Sequence, residues 1–172
     1  MLRLIGRHIN VSENDPCYSH AESELDMDDH HKTATLHFAD NDFFIGVTPS
    51  GHAQVIETNS ARDAAASPLE LLLLALGGCT GVDVISILKK KRQQVTDYRI
   101  EVSGERRDEF PKRFTKIMVK HIVRGHKVTE QAVARAIELS ETKYCSVAAT
   151  LSGVEIVTSY EIIEDEQTEP AA

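Results

Sequence analysis

Ser67-Pro68-Leu69-Glu70 is followed by an unbroken apolar run, Leu71-Leu72-Leu73-Leu74-Ala75-Leu76, and this junction constrains the chain more than any other. Serine at an N-cap, proline at the first helical position and glutamate three after the cap form a capping box, so a helix starts here. It continues through Val82, Val84, Ile85, Ile87 and Leu88 to Lys89-Lys90-Lys91-Arg92, whose charges suit the carboxyl end of a helix. A helix with no polar face in its first half must be covered on every side. One sheet covers one side. The rest of the cover requires a second helix, a partner subunit, or both. Residues 71–79 are about half the roughly 20 needed to cross a bilayer, and Glu70 and Asp83 flank them, so the segment reads as a core helix and not a membrane span.

At 172 residues the chain has room for one domain with a real core. Hydrophobic residues at 41% and charged residues at 27% fit a globular protein rather than a disordered one. A net charge of -8, from 27 acidic and 19 basic side chains, argues against nucleic acid or an anionic membrane surface as partner. Residues 1–7 lack the continuous apolar core of a signal peptide. Three cysteines are too few, and odd in number, for a disulfide-built scaffold. They point to the reducing cytoplasm, where a cysteine acts as a thiol.

Residues 1–31 read as a mobile acidic arm, with Glu13, Asp15, Glu22, Glu24, Asp26, Asp28 and Asp29 and few large apolar groups. His30-His31 has no spaced Cys or His partners and reads as solvated, so neither metal nor cofactor is expected. From residue 32 onward, Ala34, Leu36 and Phe38 alternate with polar neighbours, the period of a half-buried strand. Turns at Asp40-Asn41-Asp42 and Pro49-Ser50-Gly51 then divide a three-stranded meander. After the capped helix come strands around residues 98–102 and 114–123. A second helix comes next, with Thr129 as N-cap and Val128 and Val133 as a hydrophobic staple, running to about Lys143. A short helical segment succeeds Cys145, then a closing strand through Val154, Ile156, Thr158, Tyr160 and Ile162. The order β-β-β-α-β-β-α-β is α+β, helices against antiparallel sheet, over residues 32–163, with a loose acidic tail at 164–172.

Cys79 lies inside the apolar helix behind Gly77-Gly78. Two glycines in a helix interior cost on the order of 1–2 kcal/mol, which points to the close approach of another backbone or a ligand. Cys145 stands where a short helix would begin, a position that favours a thiolate. Each has a plainer reading as a small core residue, because free cysteine is among the most buried residue types. Cys17, among carboxylates in the arm, is incidental. If Cys79 and Cys145 come within about 7 Å between Cα atoms they can form a reversible disulfide, an attacking thiol with its resolving partner.

Ser67-Pro68-Leu69-Glu70-Leu71, Ala75-Leu76-Gly77-Gly78-Cys79, Ser86 to Lys90, Glu105-Arg106-Arg107, Ala132 to Ala136 and Lys143-Tyr144-Cys145-Ser146-Val147 resemble the OsmC/Ohr superfamily, in its branch with Gly-Gly-Cys on the central helix. The resemblance implies an intertwined homodimer with two long central helices and active sites near the subunit interface. It implies thiol-dependent reduction of organic hydroperoxides to alcohols, with Cys79 attacking, Cys145 resolving and an external dithiol, of lipoyl type, restoring the thiols. A partner subunit would also cover the Leu71–Leu76 surface.

Peroxidases of that family carry a glutamate ten residues before the first cysteine, paired with an arginine. Here that position is Leu69, and Glu70 is nine before, about 900° and 13.5 Å along an ideal helix. Its capping-box role explains it at least as well. Arg62 is the nearest candidate cation, with Arg106 and Arg107 behind it, while Asp83, four residues after Cys79, disfavours a thiolate on that face unless a cation answers it. The resemblance thus implies a peroxidase with Cys79 and Cys145 as catalytic residues and Glu70 and Arg62 as the candidates for support. The alternative is a binding or redox-sensing module of the same fold, with an apolar ligand cavity at the dimer interface.

Overall fold

The capping box forms as the sequence implies: the Ser67 amide donates to Glu70 Oε2 at 2.7 Å, and the Glu70 amide donates to Ser67 Oγ. From it runs α1 (Pro68–Lys90), in a computed structural model that describes residues 32–58 and 61–165. The arm, with Cys17 and His30-His31, therefore lies outside the described residues, as do residues 166–172. At 23 residues, α1 is long and apolar enough, by length and composition alone, to cross a bilayer, a longer apolar segment than residues 71–79 suggest. In the fold it packs on β4 (Gln94–Arg106) and against α2 (Glu130–Leu139) and α3 (Ser146–Thr150).

Ahead of α1, β1 (Thr35–Asp40), β2 (Phe43–Val47) and β3 (Ala53–Glu57) form an antiparallel meander. Asp40, Asn41 and Asp42 all take positive φ in its first turn, which Asn and Asp tolerate better than most residues. The expected half-burial of β1 is not met among the described residues. All six of its residues are exposed, with Leu36 57% and Phe38 65% accessible. The apolar period is present, but none of the described residues buries it.

Behind α1, β4 pairs antiparallel with β5 (Phe114–His126), and β5 pairs with β6 (Glu155–Glu164) in parallel. The second sheet is thus mixed, not antiparallel as the element order suggested. The physical reason is the connection: β5 returns to β6 through α2 and α3, a helical crossover long enough to bring the chain back in the same direction. The tail expected to be loose from residue 164 is held at its start. Glu164 ends β6, and Asp165 accepts from Thr96 Oγ1 and Arg124 Nη1.

Gly77 and Gly81, four apart on α1, let the helix sit close to β4. A Cβ on Gly77 would lie 3.0 Å from Val102 Cγ2, and one on Gly81 would lie 2.6 Å from Ile100 Cδ1. The close approach is therefore to sheet side chains, not to another backbone. Two apolar clusters fill the layer. Val84 and Leu88 pack with Val123, Val128, Val133, Ala136 and Ile137, which engages both staple valines. Leu76 packs with Phe114, Ile117, Val119 and Cys145. Thr129 precedes α2 in extended backbone but does not cap it with its side chain. Its amide donates instead to Gln93 Oε1 at 2.8 Å. The opposite face of α1 stays open: Leu74 is 66% and Val82 68% accessible, with exposed Gly78 between them.

Candidate active site

Cys79 and Asp83 stand one helical turn apart on α1, so both project from one face. Cys145 reaches that face from the other side of the fold. The second helix does not run regularly to Lys143: after Leu139 it widens into a π-type turn, Ser140–Tyr144, in which the Cys145 amide bonds back to Ser140 O at 2.9 Å. Such turns insert a residue into a helix and redirect the chain beyond them, often at functional sites. Here the turn delivers Cys145 to the start of α3, where Sγ accepts from the Ala148 amide at 3.3 Å.

The three side chains converge. Cys79 Sγ, Cys145 Sγ and a carboxylate oxygen of Asp83 all lie within 4.8 Å of one another. Both cysteines are free thiols, Cys145 buried and Cys79 partly accessible. Burial, joined by a thiol hydrogen bond and proximity to Cys79, pushes the Cys145 thiol up to about 11, while the Ala148 and Val147 amides pull the other way. Cys145 is therefore protonated at neutral pH. Asp83 is answered by a neutral partner: buried Ser140 donates its hydroxyl to Oδ2 at 2.9 Å. Sequence reasoning missed Ser140, because nothing in the order of residues says that a widened turn will aim it at α1.

The supporting residues go elsewhere. The Glu70 carboxylate is occupied by the cap, where the Ser67 hydroxyl and amide hold it below the usual carboxylate range. Arg62 donates Nε to Glu57 Oε1 at 2.5 Å and Nη2 to the Asn41 carbonyl, and its guanidinium lies 4.2 Å from the Phe43 ring centre. Burial raises the Glu57 carboxyl, but the Ala64 amide, Arg62 and the Ala65 amide together bring it below the ordinary value. Arg62 thus anchors the loop before α1 to the first sheet. Arg106 and Arg107 donate to Lys112 O and Pro111 O, closing the β4–β5 connection. None of these bonds reaches a cysteine.

A groove of about 870 Å³ runs between α1, β4 and the loop before the helix, lined by Leu73, Leu74, Gly77, Gly78, Ile100 and Val102 among others. At its foot Tyr98 shares a 2.5 Å hydrogen bond with Nδ1 of buried His121, their rings stacked at 5.9 Å. Burial pushes the His121 imidazole down to about 4, so it is neutral at pH 7, and raises the Tyr98 phenol well above its ordinary value.

Residues 60–159, which hold every element of this site, match the family described as OsmC-like protein. The chain belongs to the OsmC-like family. Protein YhfA of Escherichia coli K12, a relative, is 47% identical over 121 residues, or 70% of this chain and 90% of YhfA. An Aquifex aeolicus structure described as a hypothetical protein superposes with TM-score 0.71 at 36% identity, covering 79% of this chain and 98% of that one. An organic hydroperoxide resistance protein from Elizabethkingia anophelis shares the fold at TM-score 0.58 and 13% identity, over 79% of this chain and 97% of its own. The α+β architecture of this chain is thus that of OsmC/Ohr proteins.

Proposed function

We propose that this OsmC-like protein is a thiol-dependent peroxidase that reduces organic hydroperoxides to alcohols. The observation that carries the reading is the pair of sulfurs, each within 4.8 Å of the other, one accessible and one buried and protonated. Cys79, as thiolate, attacks the terminal peroxide oxygen. The O–O bond breaks, and the alkoxide takes a proton and leaves as the alcohol, giving Cys79 sulfenic acid. The Cys145 sulfur then attacks the Cys79 sulfur, water leaves, and a disulfide forms. An external dithiol, of lipoyl type, returns both thiols. The peroxide gains the two electrons that this dithiol loses.

The protein acts as a homodimer in this reading. The Leu74–Gly78–Val82 stripe and the exposed strand β1 are apolar surfaces that the described residues leave open and a second chain would close. Glu70 acts through the helix cap. The small, odd number of cysteines favours work in the cytoplasm.

A second reading has one observation in its favour. The apolar groove is lined by Gly77 and Gly78 but not by Cys79, as in a binding or redox-sensing module whose ligand avoids the thiols. Peroxide consumption separates the two. The reduced protein should consume cumene or tert-butyl hydroperoxide with a dithiol donor, Cys79→Ser should abolish this, and Cys145→Ser should stop turnover with one sulfenic acid left on Cys79. Undiminished consumption by Cys79→Ser would remove the peroxidase reading.

A further inference from the structure

Asp83 is the third member of the cluster, and the peroxidase reading gives it no task. A carboxylate beside two sulfurs opposes thiolate formation, yet here it is fixed in place by a buried hydroxyl rather than turned out to solvent. Two thiols and one held carboxylate, each with a donor atom within 4.8 Å of the others, are the donor set of a soft or borderline divalent ion. Hard ions such as magnesium or calcium prefer oxygen alone. We propose that Cys79, Cys145 and Asp83 form a zinc-type site, with Ser140 as the residue that orients the carboxylate.

The geometry suits that ion. Zn–S bonds of about 2.3 Å in a tetrahedral site put two sulfurs about 3.8 Å apart, so donors already within 4.8 Å need only a small contraction. Two of the three donors are one turn apart on a rigid helix, and the third is held by the π-type turn. Ser140 binds Asp83 Oδ2, which leaves Oδ1 for the metal; a hydrogen bond on the second oxygen is the usual support of a ligating carboxylate. The fourth position falls to water on the accessible side of Cys79. Both sulfurs bind as thiolates, and any proton a thiol carries goes to solvent. Two thiolates and a carboxylate then carry three negative charges, of which the ion offsets two. No electron is transferred. Adjacent cysteine and histidine spacing along the chain gives no hint of this site, since its ligands are 66 residues apart in sequence at the two sulfurs.

Binding does not depend on peroxidase activity, although metal and peroxide would compete for the same sulfurs. The test is anaerobic titration of the full-length, reduced protein with Co²⁺ alone. One equivalent per chain should produce a near-ultraviolet sulfur-to-cobalt band, and Zn²⁺ should abolish the band by displacement. Cys79→Ser and Cys145→Ser should each halve the band or remove it. Asp83→Asn should keep the band per bound ion while weakening affinity more than tenfold, and Ser140→Ala should weaken it by about 10–100-fold. A variant carrying Cys17→Ser, His30→Ala and His31→Ala should bind as the parent does. No band at millimolar Co²⁺ would overturn the proposal. So would a band that survives the Cys79→Ser/Cys145→Ser double variant, or full affinity in a folded Asp83→Asn protein.

Discussion

Ser140 donates its hydroxyl to Asp83 Oδ2 at 2.9 Å and thereby ties the π-type turn to the middle of α1. Both thiols are spaced by this bond, because Asp83 shares a helix face with Cys79 and Ser140 begins the turn that ends at Cys145. Removing the hydroxyl leaves a partly buried carboxylate with one partner fewer. Ser140→Ala should lower stability by about 1.5–3 kcal/mol, read from urea midpoints at pH 7. An unchanged midpoint would mean the contact is not made in solution.

The two thiols should differ in reactivity toward an alkylating agent. With Cys145 pushed up to about 11, its thiolate fraction at pH 8 is on the order of one in a thousand, and it is buried besides. In a Cys17→Ser background, iodoacetamide at pH 8 should label Cys79 and leave Cys145 intact, as mapped by peptide mass spectrometry. Cys145 should become reactive as the pH approaches 11 or when the fold is unfolded in urea. Equal labelling at pH 8 would contradict the buried assignment.

Acid should weaken the fold through His121. Burial lowers its folded-state value to about 4, against about 6.5 unfolded, so the unfolded chain takes up the proton first. Its contribution to stability is complete above pH 6.5 and is lost as pH falls toward 4, amounting to about 3 kcal/mol across that window. Imidazole resonances followed by NMR should show His121 neutral down to about pH 4. Titration near 6.5 would show that the Tyr98–His121 pair is open to water.

Charge placed on the open stripe of α1 should separate the subunits of the proposed dimer. Leu74→Glu and Val82→Glu sit where one chain already exposes them, so each should keep parental helical circular dichroism and sediment as a single chain. The parent should sediment as two. A parent that sediments as one chain at micromolar concentration would leave the stripe without its proposed cover.

What the sequence made legible is what local chemistry decides. The capping box at Ser67 and Glu70, the Asp40–Asp42 turn, the staple at Val128 and Val133 and the short helix after Cys145 each depend on neighbours a few residues away, and each forms. The two cysteines were legible as candidates, since glycines before one and a helix start after the other are local signals. Their meeting was not, and neither was Ser140, whose partner lies on another helix. The parallel return of β6, the Tyr98–His121 pair and the capture of Arg62 by Glu57 likewise depend on contacts made only after the chain has folded. Leu36 and Phe38 mark the opposite case: the pattern of burial was readable, but the described residues leave both exposed.

The most direct test of the central claim is the covalent state of the two sulfurs after one turnover. The reduced protein, given one equivalent of tert-butyl hydroperoxide without dithiol and then digested under non-reducing conditions, should yield a Cys79–Cys145 linked peptide lighter by two hydrogens than the separate peptides. Adding dithiol should restore both thiols. A protein that leaves the peroxide unconsumed with both thiols intact, or that accumulates sulfinic acid on Cys79 while Cys145 stays free, would contradict it.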